Sequence, residues 1–149
     1  MAEYKLVEGS RGERRTFSII VGLAEGYGPE AKIHTADEAV SLVENHLKAK
    51  AAQGLSYLTG SVTTGTVVYA WPEGPGKSGG GHEPQATYSG EVSPLYNAEL
   101  TDEEVEEILN DLASELGSAF GQTRIYVAYR DEIWILQAEE TVTPTDETV

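Results

Sequence analysis

The 149-residue chain has no cysteine, one methionine and two phenylalanines. Without a thiol there is no disulfide, no thiolate metal ligand and no cysteine nucleophile, and the usage fits a reducing compartment. Long apolar runs are missing as well: none approaches the roughly 20 residues that cross a bilayer. The opening stretch MAEYKLVEGSRGERR has no apolar core of the kind a secretory signal needs. The chain is therefore expected in the cytoplasm, with no membrane partner. Basic residues are scarce: 10 Lys and Arg stand against 25 Asp and Glu, a formal net charge of −15. The imbalance is uneven, with 14 acids and 2 bases in residues 99–149 against 11 and 8 in residues 1–98. The acidic third repels phosphate backbones and anionic lipid, which argues against direct nucleic-acid binding and leaves any anionic ligand to the bases of the first half.

Chemistry-bearing motifs are thin. His34, His46 and His82 show no metal-ligand spacing. No serine stands at a strand-to-helix nucleophile elbow, and no histidine–acid pairing marks a covalent mechanism. No metal, no cofactor and no catalytic residue is expected.

What is present is periodicity. Phe17, Ile19 and Val21 alternate in RRTFSIIVGL, which predicts a strand. EYKLVEG is expected to pair with it as a hairpin through Ser10-Arg11-Gly12, and AEGYGPEAKI to follow as a loop. Thr35 with Glu38 forms a capping box, Ala36, Val40, Val43 and Leu47 share one helical face, and Gly54 is a stop, so a first helix is expected over 36–53. LSYLTGSVTTGTVVYAW is rich in β-branched and aromatic residues and reads as strand, with a bulge or bend at Gly60 or Gly65. A Gly/Pro loop over 72–85 and a strand in QATYSGEVSPLY come next. The second helix starts at Thr101 with Glu104 as its box partner. Its stripe is Val105, Ile108, Leu109, Leu112 and Leu116, and Phe120-Gly121 closes it. TRIYVAYRDEIWIL is one strand, or a hairpin turning near Arg130-Asp131. The expected organisation is one domain over 1–138 and a disordered acidic tail over 139–149.

Strand, helix, strand, long loop, strand, helix, strand is the order of a split βαβ, or ferredoxin-like, α+β fold, with two helices on one face of an antiparallel sheet. Tyr69, Trp71, Tyr88, Tyr126 and Trp134 are candidates for the other face, where an apolar patch would call for a homo-oligomer.

The segment WPEGPGKSGGG ends like a phosphate-binding loop at Gly76-Lys77-Ser78. A Walker-type loop needs glycine where Trp71 stands, and a helix where Gly79-Gly80-Gly81 follows; both conditions fail. The remaining choice is a plain connector or a flap whose amides approach a ligand. A long connection between the second and third strands is similar in layout to that of the trimeric PII-like nitrogen regulators. That resemblance implies an adenine nucleotide bound at a subunit cleft. The preferred expectation is accordingly a non-enzymatic regulatory or sequestering protein that encloses an anionic or nucleotide-like small molecule. Arg14, Arg15, Lys32 and Lys77 would supply charge, Tyr27 or Trp71 would stack, and His34 at the start of the first helix, Ser78 and His82 would complete the site. Two alternatives stand beside it. One is an acidic interaction module or inhibitor, such as a viral mimic of nucleic-acid charge, docking a basic protein through TDEEVEEILNDLASE. The other is an enzyme of unrecognised type.

Overall fold

The computed structural model describes residues 2–139, so the tail expected over 139–149 lies, except for Glu139, outside the described residues. Strand β1 (Thr16–Gly22) leads through a two-stranded ladder, β2 (Ala24–Glu25) and β3 (Lys32–Ile33), into helix α1 (Ala36–Ala52). A hairpin of β4 (Ser61–Gly74) and β5 (Lys77–Glu91) follows, then α2 (Asp102–Ala119) and a second hairpin, β6 (Arg124–Tyr129) and β7 (Glu132–Gln137). The main sheet has the order β4-β5-β1-β6-β7, antiparallel throughout. Its first four strands lie in the order that a split βαβ chain produces, compatible with the ferredoxin-like expectation. β7 extends this sheet by a fifth strand at the β6 edge. No strand forms before Thr16, so EYKLVEG does not pair with β1; Gly9 turns at φ 82 and residues 2–15 run outside both sheets.

One sheet face carries the core. Ile19 stands opposite Tyr88 on β5 and Val127 on β6, and Phe17, Val21, Ala86, Ile125 and Tyr129 share that face. α1 covers it with Ala39 and Val43, and α2 with Val105, Leu109, Leu112 and Leu116, so both helices lie on one side. Both capping boxes form, Thr35 with Glu38 and Thr101 with Glu104. On α1 the buried face is rotated from the expected one: Ala36 and Val40 are exposed, and Ala39, Val43 and His46 point inward. The weak apolar content of this helix let a polar residue join the core. Tyr88 and Trp134, expected on the bare face, belong to the helix side. The Tyr88 hydroxyl donates to Leu58 O at 2.7 Å, burial pushes its pKa up to about 12, and Trp134 Nε1 donates to Asn110 Oδ1 at 2.8 Å. No helix among the described residues is long and apolar enough to cross a membrane.

The stretch expected as a flap is regular structure. β4 and β5 pair in register from Ser61–Ser89 to Pro72–Ser78, bulge at Glu73 before Gly74–Lys77, and turn through Pro75-Gly76, where Gly76 has φ 71. Its glycines answer aromatic rings rather than a ligand. Trp71 faces Gly79 and Tyr69 faces Gly81. A Cβ at Gly79 would meet the Trp71 ring at 2.5 Å, and one at Gly81 would meet the Tyr69 hydroxyl at 3.2 Å. β1 accompanies β5 only as far as Gln85, so the far half of the hairpin projects beyond the body of the sheet.

At the other end of β1 a polar network ties the sheet to α2. Arg15 Nε donates to Tyr129 Oη at 2.8 Å, and Arg15 Nη2 donates to Leu100 O at 2.8 Å and Asp102 Oδ1 at 3.1 Å. Tyr129 in turn donates to Asp102 Oδ1 at 2.6 Å. The Tyr129 hydrogen bond, with the Arg15 bond behind it, holds the Asp102 carboxyl below its ordinary pKa. A depressed carboxylate stabilises the fold above its unfolded pKa, about 3.9, and that contribution is lost as pH falls through the folded value. Asp102→Asn should therefore be less stable than the parent at pH 7. The difference should shrink as pH falls below about 4, which denaturant melts across pH will measure.

Candidate functional site

The bare face of the sheet is built from the alternate residues of the same strands. β1 presents Ile20 and Gly22, β4 Val67 and Tyr69, β5 Glu83 and Gln85, and β6 Arg124 and Tyr126. Together with the 24–27 and 121–123 segments they line a groove of about 620 Å³. At Gly22 a Cβ would run into the end of the Gln122 side chain, which crosses to donate to Ala24 O at 2.8 Å and Phe120 O at 2.9 Å and so secures the rim.

Three aromatic side chains and one carboxylate dominate the groove. Tyr69 donates to Glu83 Oε1 at 3.1 Å and stacks on Trp71 with ring centroids 6.0 Å apart. Desolvation first, and then the hydrogen bond and charge of Glu83, raise the Tyr69 pKa, so the phenol stays protonated and donating at neutral pH. Tyr27 projects into the opening from a turn framed by Gly26 and Gly28, at φ 88 and φ 74, and is 92% exposed. Tyr126 lies on β6 across β1. Among the described residues Glu83 is the only carboxylate lining the groove and Arg124 the only guanidinium. Arg124 Nε donates to Gln137 Oε1 at 3.1 Å. A protonated tyrosine fixing one oxygen of a carboxylate, among aromatic faces, suits a cationic organic ligand.

Of the residues singled out in the sequence, the structure brings Tyr27 to this groove and places Trp71 behind Tyr69. Lys77 and Ser78 sit at the tip of the long hairpin, and His82, opposite Val68, points to the other side. Arg14 pairs with Glu91 at 2.5 Å, and Arg15 is spent on the Tyr129–Asp102 network at the far end of β1. Lys32 stands on the exposed ladder strand β3. His34, expected at an anion-accepting helix start, is buried against Phe120, with ring centroids 4.7 Å apart. Its ring nitrogens face Glu38 Oε2 at 2.7 Å and Glu25 Oε1 at 3.1 Å, so an anion there would lie among carboxylates. His46 is buried between α1 and α2 against Glu115 and Asp111. Glu83, Tyr69, Arg124 and Tyr126 were missed as a group. The available signal was symmetry about Pro75-Gly76: aromatics at 69 and 71 facing glycines at 81 and 79 mark a hairpin, and period 2 then puts Glu83 beside Tyr69.

An antiparallel α+β sheet with both helices on one face and an acidic–aromatic groove on the other is the class that fold and geometry define. Two solved structures share the fold. A phage SAM lyase in complex with S-methyl-5'-thioadenosine aligns with a TM-score of 0.65 at 20% identity, and a phage SAM lyase in the apo state with 0.64 at 19%. Each alignment covers 93% of this chain and 100% of the other. No family model and no curated protein matches the chain. The solved chains that share the fold are described as an enzyme, which overturns the expectation of a non-enzymatic binding or sequestering protein and favours the enzyme alternative over it.

Proposed function

We propose that the chain is a lyase acting on SAM and that it releases S-methyl-5'-thioadenosine from the bare-face groove. The observation that carries this reading is the end-to-end fold likeness to a SAM lyase, together with a groove whose chemistry suits that substrate. SAM carries a sulfonium cation. Aromatic faces and a carboxylate attract such a charge, whereas the anionic ligand expected from the sequence would find one guanidinium here. The net charge of −15 favours the approach of a cation as well. Releasing the thioether breaks one carbon–sulfur bond, and the bonding pair goes to sulfur, which passes from sulfonium to neutral thioether. The leaving group therefore needs no proton. The remaining four-carbon fragment must close on its own carboxylate or lose a proton, and either route needs its amino-acid end held in place. Glu83, fixed by Tyr69, takes the ammonium group, while Tyr27 and Tyr126 cover the nucleoside and the sulfonium. Incubating the purified chain with SAM and following S-methyl-5'-thioadenosine by mass spectrometry tests the reading: product above the non-enzymatic background is expected, and its absence overturns it.

The same face supports a homo-oligomer. Ile133 and Ile135 on β7 stand exposed beside Tyr126, at 72% and 52%. At this edge of the sheet they form an exposed apolar pair that a second copy of the chain would cover. Ile133→Glu should lower the mass measured by light scattering to that of a single chain and leave the circular-dichroism spectrum unchanged.

A further inference from the structure

A second cavity lies on the opposite side of the molecule, between the two helices and the 55–58 segment, with a volume of about 310 Å³. Its floor is apolar: Leu47 from α1, Leu58, Tyr88 from β5, and Leu109 and Leu112 from α2. Leu55 and Tyr57 stand at its mouth, 49% and 37% exposed, on a stretch without regular structure that follows Gly54 at φ 72. The floor offers no charge and no free hydroxyl, because the Tyr88 phenol is committed to Leu58 O at 2.7 Å. Neither Glu83 nor any other residue of the bare-face groove takes part.

The rim carries charge of mostly one sign. Glu104, Glu107 and Asp111 follow one another along α2 at intervals of three and four residues, so all three carboxylates look over the same opening. Their commitments differ. Asp111 is matched by Lys50 at 2.7 Å and approached by His46 at 3.7 Å. Glu104 spends Oε1 on the Thr101 amide in the capping box. Glu107 makes no ion pair among the described residues. Among the described residues the cavity's other titratable groups are Lys50, His46, Tyr57 at the mouth and Tyr88 on the floor. An apolar hollow whose uncompensated charge is negative and placed at one edge is complementary to a molecule that is apolar at one end and cationic at the other.

We infer that this interhelical cavity is a second ligand site, which takes a small amphipathic amine with its aromatic or aliphatic body on Leu58, Leu109 and Leu112 and its ammonium at Glu107. The volume lies at the lower end of the range of small-molecule pockets, about 300–1,000 Å³. It accommodates a single fused ring system or a short branched chain. Because the site rests on α1 and α2 and not on the bare-face groove, it stands or falls independently of the lyase reading.

Tryptamine is a suitable probe, with indole-3-acetate as the matched anion. Titrating each into the full-length chain with methyl-labelled leucine, and following the spectrum by NMR, locates the ligand. The expected result is that tryptamine shifts the methyls of Leu55, Leu58, Leu109 and Leu112 and indole-3-acetate does not. Glu107→Gln should weaken tryptamine by about fivefold. Leu55→Trp, which fills the mouth from an exposed position, should abolish the shifts while the melting temperature holds. No shift at millimolar tryptamine overturns the inference. So do shifts confined to the Tyr69–Glu83 side, equal binding of the anion, or a response only to Lys- and Arg-rich peptides, the last of which would make α2 a protein-docking surface instead.

Discussion

Replacing Glu83 with glutamine is expected to lower kcat/KM for SAM cleavage by roughly 10- to 150-fold while leaving the fold intact. The magnitude follows from the loss of a hydrogen bond to a charged group, about 1.5–3 kcal/mol. The fold should survive because Glu83 is partly exposed on the bare face and its recorded partner is the Tyr69 hydroxyl, which an amide oxygen can still accept from. Tyr69→Phe should cost less, since it leaves the carboxylate in place and removes only its anchor. The two variants separate roles: if Glu83 holds the ammonium of the substrate, Glu83→Gln weakens substrate and product unequally, because S-methyl-5'-thioadenosine has no ammonium group. Product affinity should thus stay within a fewfold of the parent. Full activity in Glu83→Gln, measured as initial rates of product formation, would remove this residue from the site.

The second large effect is on stability. Phe17 is 1% exposed, tilted against Tyr88 with centroids 5.9 Å apart, and part of the core on the helix side of the sheet. Phe17→Ala should cost about 3–5 kcal/mol, a large share of the total for a domain of this size. Ile133→Ala, on the opposite face and 72% exposed, should change the stability of the single chain by less than about 0.5 kcal/mol. Urea denaturation of the two variants side by side measures how one-sided the core is. Comparable losses would mean that the bare face is packed too.

How much of this was legible in the residues depends on what set each element. The helices were, because caps and stripes are local: Thr35 with Glu38, Thr101 with Glu104, and Val105 to Leu116 at helical spacing. β1 and the α+β order were legible for the same reason. The 72–85 stretch was not, because its glycines obey a partner strand. Read alone, Gly79-Gly80-Gly81 signals a loop; in the hairpin Gly79 and Gly81 leave room for the Trp71 and Tyr69 rings, and Gly80 for the backbone at Tyr69 and Ala70. The histidines failed similarly. Nothing beside His46 in the sequence announces Asp111 and Glu115, which α2 brings to it from far along the chain, although Glu38 at four residues from His34 was a visible hint. The search for a site followed the basic residues, on the premise of an anionic ligand. Arg14 and Arg15 turned out to answer acids within the fold, and Glu83, which lines the groove, lay inside the stretch expected as a flap, where Lys77, Ser78 and His82 were the residues singled out.

The measurement that bears most directly on the bare-face site is a titration of S-methyl-5'-thioadenosine into the full-length chain, followed by NMR with labelled tyrosine rings. The expected result is that the ring resonances of Tyr27, Tyr69 and Tyr126 shift together and saturate along one curve, while Tyr57 and Tyr129, on the other side of the sheet and at the far end of β1, stay in place. Shifts at Tyr57 or Tyr129 with the three groove rings unmoved would contradict it.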